Sequence, residues 1–323
     1  MIEALQLTKS YATAHALDSV SFRVATGEIV GLIGKNGAGK STTLKLLSGQ
    51  LLPSSGDVLV DGYSVARDPL AVRRLIGYQP DVPPLYPEMS PRAFLDFTAR
   101  LRGLNRKQAR ERVSIVMTRT GLEPVANQAM RGLSHGFQQR VGIAQALVHN
   151  PKVVLLDEPT SGLDPFQIAQ MRDLIRSLRP DHTVLFSSHL LPEVTRVCDR
   201  ILLIDQGRVK AQGTEAELRA QSTRRPTLML TVRGDRAGLA KALERFPQLA
   251  VSWMDAPPPG TVRARLSLLT EGTDLREEIS HALDSAGLGL LELRSDMQRL
   301  EDIFMFFLGP NASGARPATR GGL

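Results

Sequence analysis

The run Gly34-Lys35-Asn36-Gly37-Ala38-Gly39-Lys40-Ser41 follows directly on Ile29-Val30-Gly31-Leu32-Ile33 and precedes residues 43–47, whose apolar positions recur at helical spacing up to Gly49. A buried strand, a glycine-rich turn and a helix in that order give the turn a mechanical purpose. Glycines let successive backbone N–H groups point inward, so the turn becomes a cradle for phosphate oxygens. Lys40 adds positive charge for the outer phosphates, Ser41 offers a hydroxyl to Mg²⁺, and the helix start contributes its positive dipole. A glycine loop arising by chance would lack that flanking strand and helix.

The complementary half of this chemistry stands at residues 153–158, Val-Val-Leu-Leu-Asp-Glu. Two carboxylates at the end of a fully apolar strand are costly to bury without a cation or a hydrogen-bonding partner. Asp157 suits the Mg²⁺ side of a nucleotide site, and Glu158 is placed to polarise a water for in-line attack on a γ-phosphate. An acidic strand end that merely caps the next helix is the plain alternative. The loop at Lys40 favours the catalytic reading.

Outward from these motifs, residues 2–7 and 19–24 alternate as strands, and short strand and turn signals fill residues 57–78, punctuated by Ser55-Gly56 and Asp61-Gly62. Long helical patterns then occupy residues 91–149, an inserted helical subdomain expected over about residues 88–149. Strand 153–157, helix 165–178, strand 183–187, a short helix from Leu191 and strand 200–204 alternate afterwards, the pattern of a parallel sheet packed by helices. Composition turns polar near residues 221–226. Beyond that point a strand at 227–232, a helix at 239–246, two strands about the turn 257–260, a helix at 275–286 and a strand at 288–293 follow in turn. A last helix is read at 300–308. The order is that of a ferredoxin-like βαββαβ domain with a helical extension. The expected fold is therefore an α/β nucleotide-binding core over residues 1–220, with a mixed sheet, joined to a small α+β domain over 226–309. Residues 310–323, rich in Gly, Ala, Arg and Pro without periodicity, read as a disordered tail.

Composition limits the remaining classes. With 42% hydrophobic and 23% charged residues in 323, the chain has the make-up of a globular protein and is long enough for more than one core. Apolar runs such as 153–156 and 201–204 are strand-sized, far short of the roughly twenty residues of a spanning helix. Met1-Ile2-Glu3 opens the chain without a basic stretch and apolar core, so no secretory leader is read and a cytoplasmic location is expected. The single cysteine, Cys198, lies among apolar residues and is given no chemistry. A net charge of +7 admits nucleic acid or an anionic membrane surface as partner, yet no nucleic-acid module accompanies it. The densest basic stretch, residues 100–112, reads as a helix with its charges toward water.

Between the two phosphate-handling motifs stands Leu-Ser-His-Gly-Phe-Gln-Gln-Arg at 133–140, and after them Ser-Gly-Leu-Asp-Pro at 161–165 and Ser-Ser-His-Leu-Leu-Pro-Glu-Val at 187–194. With these five motifs in this order, residues 1–220 resemble the ABC ATPases, P-loop enzymes that bind ATP with Mg²⁺. The resemblance implies that Tyr11 stacks on adenine, although a strand-edge packing role is open to it. It places Gly34, Asn36, Gly37, Ala38, Gly39, Lys40, Ser41 and Thr42 on the phosphates and Ser41 and Asp157 on the metal. It makes Glu158 and His189 catalytic. Ser134 and Gly136 would contact the γ-phosphate held by an opposite subunit, and Asp164 would lie at the seam, so a homodimer or a pairing with a second cassette is implied.

Two departures from the family pattern stand out. His135 occupies a position where glycine is usual, and Phe137 one where glutamine is common. In Ile-Gly-Tyr-Gln-Pro-Asp-Val-Pro-Pro-Leu-Tyr-Pro, residues 76–87, the usual glutamine position falls on Asp81, with Gln79 two residues early. Either is open as the acting residue, Asp81 through a water or the metal. The stretch 133–147, the acidic position at 81 and the ending at 300–309 together resemble ABC-2-type exporter cassettes. That group implies a separate polytopic membrane permease as partner, attachment to the inner face of the membrane through it, and no nucleic acid. The surface about Leu85, Tyr86 and Phe94 is the candidate for permease contact, with a plain core role for these residues left open. A soluble ABC ATPase of DNA repair or translation type is the rival, and it would call for a coiled-coil insertion or a tandem cassette.

Overall fold

The computed structural model describes residues 2–11, 14–221, 227–255, 258–268, 274–296, 304 and 307. The chain divides into two compact units, Met1–Leu218 and Arg219–Asn311.

The first unit is built on two sheets. Strands β1 (Ile2–Tyr11), β2 (Ala14–Val24), β4 (Ser55–Val60) and β5 (Tyr63–Ser64) form an antiparallel sheet in the order β2-β1-β4-β5. Strands β3 (Ile29–Ile33), β6 (Ile76–Gln79), β7 (Val153–Leu156), β8 (Thr183–Ser188), β9 (Arg200–Asp205) and β10 (Arg208–Gly213) form the second, in the order β10-β9-β3-β8-β7-β6. All its neighbouring pairs are parallel except β10 with β9. Every residue of β3, β6, β7 and β8 is buried, which is why β3 and β7 read as continuous apolar runs rather than alternating ones. One core, including Leu7, Leu17, Val58, Leu44, Leu32, Leu155 and Leu202, joins both sheets to helix α1 (Lys40–Leu47).

Helices α3 (Pro91–Leu101), α4 (Arg106–Thr120) and α5 (His135–Leu147) pack on one another, and α5 also packs on β6 and β7. The basic stretch 100–112 is not one helix. The chain leaves α3 after Leu101, turns through Gly103 at φ +87°, and restarts at Arg106 under a capping box of Asn105 and Gln108. Nor do all its charges face water alone: Arg112 donates to the carbonyls of Leu147 and Val148, and Arg102 to that of Arg73.

Helix α6 (Pro165–Ser177) and the short α7 (Leu191–Thr195) occur where the sequence places them. Helices α2 (Pro69–Leu75) and α8 (Glu215–Gln221), and strand β10, were not foreseen. At seven residues each helix makes two turns at most, too few for an apolar period to emerge.

The second unit runs β11 (Thr227–Arg233), α9 (Arg236–Leu243), β12 (Leu249–Met254), β13 (Thr261–Leu268), α10 (Arg276–Ser285) and β14 (Gly289–Asp296). Its sheet order β12-β13-β11-β14, antiparallel throughout, is the ferredoxin-like arrangement. The core closes between the sheet and both helices on Leu230, Val232, Leu239, Leu266, Ile279 and Leu283. The helix expected at 300–308 lies outside the described residues save for Phe304 and Phe307, both helical, and so does the tail at 310–323.

Candidate active site

Parallel strands deliver their C-terminal ends to one edge of the sheet, and there a cavity of about 430 Å³ is lined by Asn36, Gly37, Gly39, Lys40, Ser41, Thr42, Asp81, Glu158 and His189, joined by Ala16 and Ser161. Gly39 caps α1 at φ +108°, and a Cβ there would stand 2.7 Å from the carbonyl oxygen of Ala16. No side chain caps α1, so the N–H groups of its first turn are left for an anion. Lys40, 5% exposed, directs its Nζ to the carbonyls of Gly34 (2.9 Å) and Lys35 (3.3 Å) and lies 3.1 Å from Oε1 of Glu158.

Below the cavity floor, Asp157 is 2% exposed. Its Oδ1 accepts from the hydroxyls of Ser41 (3.1 Å) and Ser187 (2.7 Å), and its backbone N–H donates to the carbonyl of Gln79 (2.9 Å). The buried carboxylate is thereby held by hydroxyls, with hydroxyl and carboxylate oxygens side by side, the donor type a hard divalent cation takes. Glu158 sits at φ +47°, a conformation a non-glycine residue adopts only under constraint from its surroundings, and its N–H donates to Ser187 Oγ at 2.8 Å. Its Oε2 accepts from Nδ1 of His189 at 2.7 Å. A carboxylate oxygen accepts only, so Nδ1 carries the hydrogen in this pairing.

The carboxyl of Asp81 is held above its usual value, first by burial and then by the negative charges of Asp157 and Glu158. Asp81, not Gln79, reaches the cavity. Gln79 is buried and its side-chain amide donates to Gln139 Oε1, while Gln139 Nε2 donates to the carbonyl of Asp81 at 3.1 Å. Gln79 thus props the loop on which Asp81 stands.

The other expected site residues lie elsewhere. Gly34 and Ala38 belong to the cradle's backbone without lining the cavity. Tyr11 ends β1 with its ring half exposed and the Lys9 ammonium 5.4 Å from the ring centroid. Ser134 caps the start of α5 with no side-chain cap bond, and Gly136 lies against Gln167 of α6, where an added Cβ would meet the Gln167 amide at 3.0 Å. Asp164 caps α6 through the N–H of Gln167 at 2.8 Å. None of Ser134, Gly136 and Asp164 lines the cavity of its own chain.

Three participants were missed. Ser187 had a signal in the Ser-Ser-His run and Ser161 in Ser-Gly-Leu-Asp-Pro. Ala16 had none, because only the fold of β2 brings it to the loop. Of the expected permease surface, Phe94 is buried at 2% exposure, whereas Tyr86 is half exposed and meets both Phe94 and Phe97 edge-on at 5.9 and 6.0 Å.

Residues 17–161 match the family described as ABC transporter. Daunorubicin resistance ATP-binding protein DrrA3 of Streptomyces coeruleorubidus is 34% identical over 307 residues, 93% of each chain, an alignment that runs past the first unit into the second. The uncharacterized ABC transporter ATP-binding protein YxlF of Bacillus subtilis is 40% identical over 221 residues, 68% of this chain and 73% of the relative. Among solved structures, the dimeric post-hydrolysis state of the ATP-binding cassette MJ0796 bound to ADP and Pi superposes with a TM-score of 0.61 at 28% identity, covering 66% of this chain and 98% of that one.

Proposed function

The chain belongs to the family of ABC transporter ATP-binding subunits, and from that membership we propose that it binds and hydrolyses ATP to drive export through a separate ABC-2-type permease. The observation that carries the reading is the meeting of Lys40, Ser41, Glu158 and His189 in one cavity, with Asp157 beneath it.

In this arrangement Lys40 and the free N–H groups opening α1 hold the β- and γ-phosphates. Ser41 and Asp157 are the residues that would hold Mg²⁺, and Asp81, which lines the same cavity, would be available to it through water. When bound, the ion neutralises charge on the phosphates. Glu158 polarises the attacking water and takes its proton, while His189 orients the carboxylate.

Ser134 and Gly136, which do not line their own cavity, serve the site of a second cassette, so two chains close head to tail. Phe166, 73% exposed and two residues from Asp164, is the apolar surface such a partner covers. The exposed apolar residues Tyr86, Phe97 and Leu101 on or beside α3 meet the permease. Among the described residues no helix is long and apolar enough to cross a membrane, so in this reading the chain reaches the inner membrane face through that partner.

The decisive comparison is ATP turnover by the chain and by Glu158→Gln. Loss of the water-polarising carboxylate is expected to lower kcat by about 100-fold or more while nucleotide binding persists. Equal rates would remove the enzymatic reading. Stimulation of turnover by a permease of about six spanning helices supports the transport role, whereas stimulation by DNA would favour the repair-type rival.

A further inference from the structure

His135 is a bulky side chain at the start of α5, flanked by Ser134 and Gly136, the two residues that the proposed function assigns to a second cassette's site. Its Nε2 lies 3.0 Å from the carbonyl oxygen of Ser161. A carbonyl only accepts, so Nε2 carries the hydrogen and donates. Ser161 in turn lines the chain's own cavity, and its N–H donates to the carbonyl of Glu158 at 3.0 Å. The next residue, Gly162, has φ +71°, and a Cβ built on it would stand 3.3 Å from both Cδ2 and Nε2 of the imidazole. The backbone at 161–162 therefore runs in close contact with the ring, and a left-handed residue keeps it there.

We propose that His135 is a positioning residue that ties the signature segment at 134–136 to the loop at 158–163, so that the half-site presented to a partner is set by the geometry of the chain's own nucleotide cavity. The proposal rests on the ATPase reading above for its functional consequence. A glycine at 135 has no side chain with which to donate, so the tie is a property of this sequence and not of the general pattern. Other contacts join α5 to the helix that follows this loop: Arg140 donates to Gln170 of α6 at 2.6 Å, and Gly136 rests on Gln167. These fix helix to helix. The contact of His135 alone among them ends on a residue that lines the cavity.

Three variants of the full chain separate donor from bulk. His135→Gln keeps an N–H at comparable reach, His135→Phe keeps a ring without a donor, and His135→Gly removes both. Two measurements are made on each: kcat and KM for ATP, and hydrogen exchange at the amides of Ser161 and Leu163, which donate to Glu158 and Thr160 in the loop. The Phe and Gly variants are expected to lower kcat roughly 2- to 10-fold, the worth of one hydrogen bond, with KM unchanged, and to speed exchange at both amides by a similar factor. Gln restores both. Wild-type exchange in the Phe and Gly variants, or a Gln variant that behaves like Phe, overturns the tie. Altered exchange with an unaltered kcat overturns its functional role. Exchange needs no turnover, so a chain that failed to hydrolyse ATP would sink the ATPase reading and leave the exchange result to decide the contact.

Discussion

The six-stranded sheet of the first unit and the four-stranded sheet of the second both bury close-packed apolar cores, yet they place their polar residues differently. In the first, β3, β6, β7 and β8 run parallel, so the residues that follow them all emerge at one edge: the cradle from Gly34, Asp81, the pair Asp157-Glu158, and His189. In the second, neighbours are antiparallel and successive strand ends alternate between edges. Polar groups pair with one another on that sheet: Arg263 donates to Thr231 Oγ1 at 3.2 Å and Thr231 to Glu292 at 3.3 Å across strands, and Arg294 pairs with Glu292 at 2.9 Å along β14. Parallel strands gather the residues that follow them at one edge, whereas antiparallel neighbours distribute theirs between two. The cavity described above is lined by residues of the first unit.

This contrast leads to separable expectations. Leu230, fully buried in the second core, changed to alanine should destabilise that unit by about 2–5 kcal/mol, read as a lowered midpoint in denaturant, with the ATP affinity of the chain unchanged. A matching fall in affinity would show that the site depends on the second core after all. Lys40→Ala reverses the pattern. Loss of its charge-assisted contacts should weaken ATP binding roughly 10- to 100-fold, measured by calorimetry, and leave the second unit's unfolding untouched.

Acid should act on the first unit. Burial lowers the His149 imidazole to about 4 from its ordinary value of 6.5, while its Nε2 donates to the carbonyl of Ile76 at 3.1 Å. A lowered histidine is neutral in the folded chain and takes a proton on unfolding, so stability present above pH 6.5 is lost as pH falls toward 4. His149→Gln, which can still donate, should flatten that part of the stability profile; an unchanged slope would exclude His149 as its source.

The smallest effect is expected at Asp81. Its carboxyl is raised by burial and by Asp157 and Glu158, so the protonated form is favoured in the folded chain and the ionised form is a liability once pH rises through the folded value. Asp81→Asn should therefore melt slightly higher than wild type at neutral pH, with the difference vanishing below the ordinary carboxylate range, while kcat falls. A variant that melted lower at neutral pH would mean that Asp81 has a stabilising partner when ionised.

The cradle at 34–41 and the strand-end acids at 157 and 158 were legible because each is a local pattern, a few consecutive residues whose spacing imposes its own geometry. The βαββαβ order of the second unit was legible for the same reason, since helix and strand periods differ within a single window. Interactions between remote segments were not. Gln79 and Asp81 are two residues apart and equally plausible on paper. The parallel register of β6 with β7, which sets Gln79 beside Leu156, buries the first against Gln139 and carries the second on to the cavity.

Chain chemistry alone pointed to a glycine-rich loop between strand and helix, a pair of carboxylates at an apolar strand end and a second run of strands and helices, because those follow from residue type at fixed short spacing. Folding settled the rest: that Asp81 rather than Gln79 lines the cavity, that Ala16 and Ser161 line it too while Ser187 holds Asp157, that Phe94 is core, and that His135 reaches the carbonyl 26 residues ahead of it. Each of these is a distance between segments far apart along the chain, and such distances are set by how strands pair and helices pack, which no short window of sequence contains.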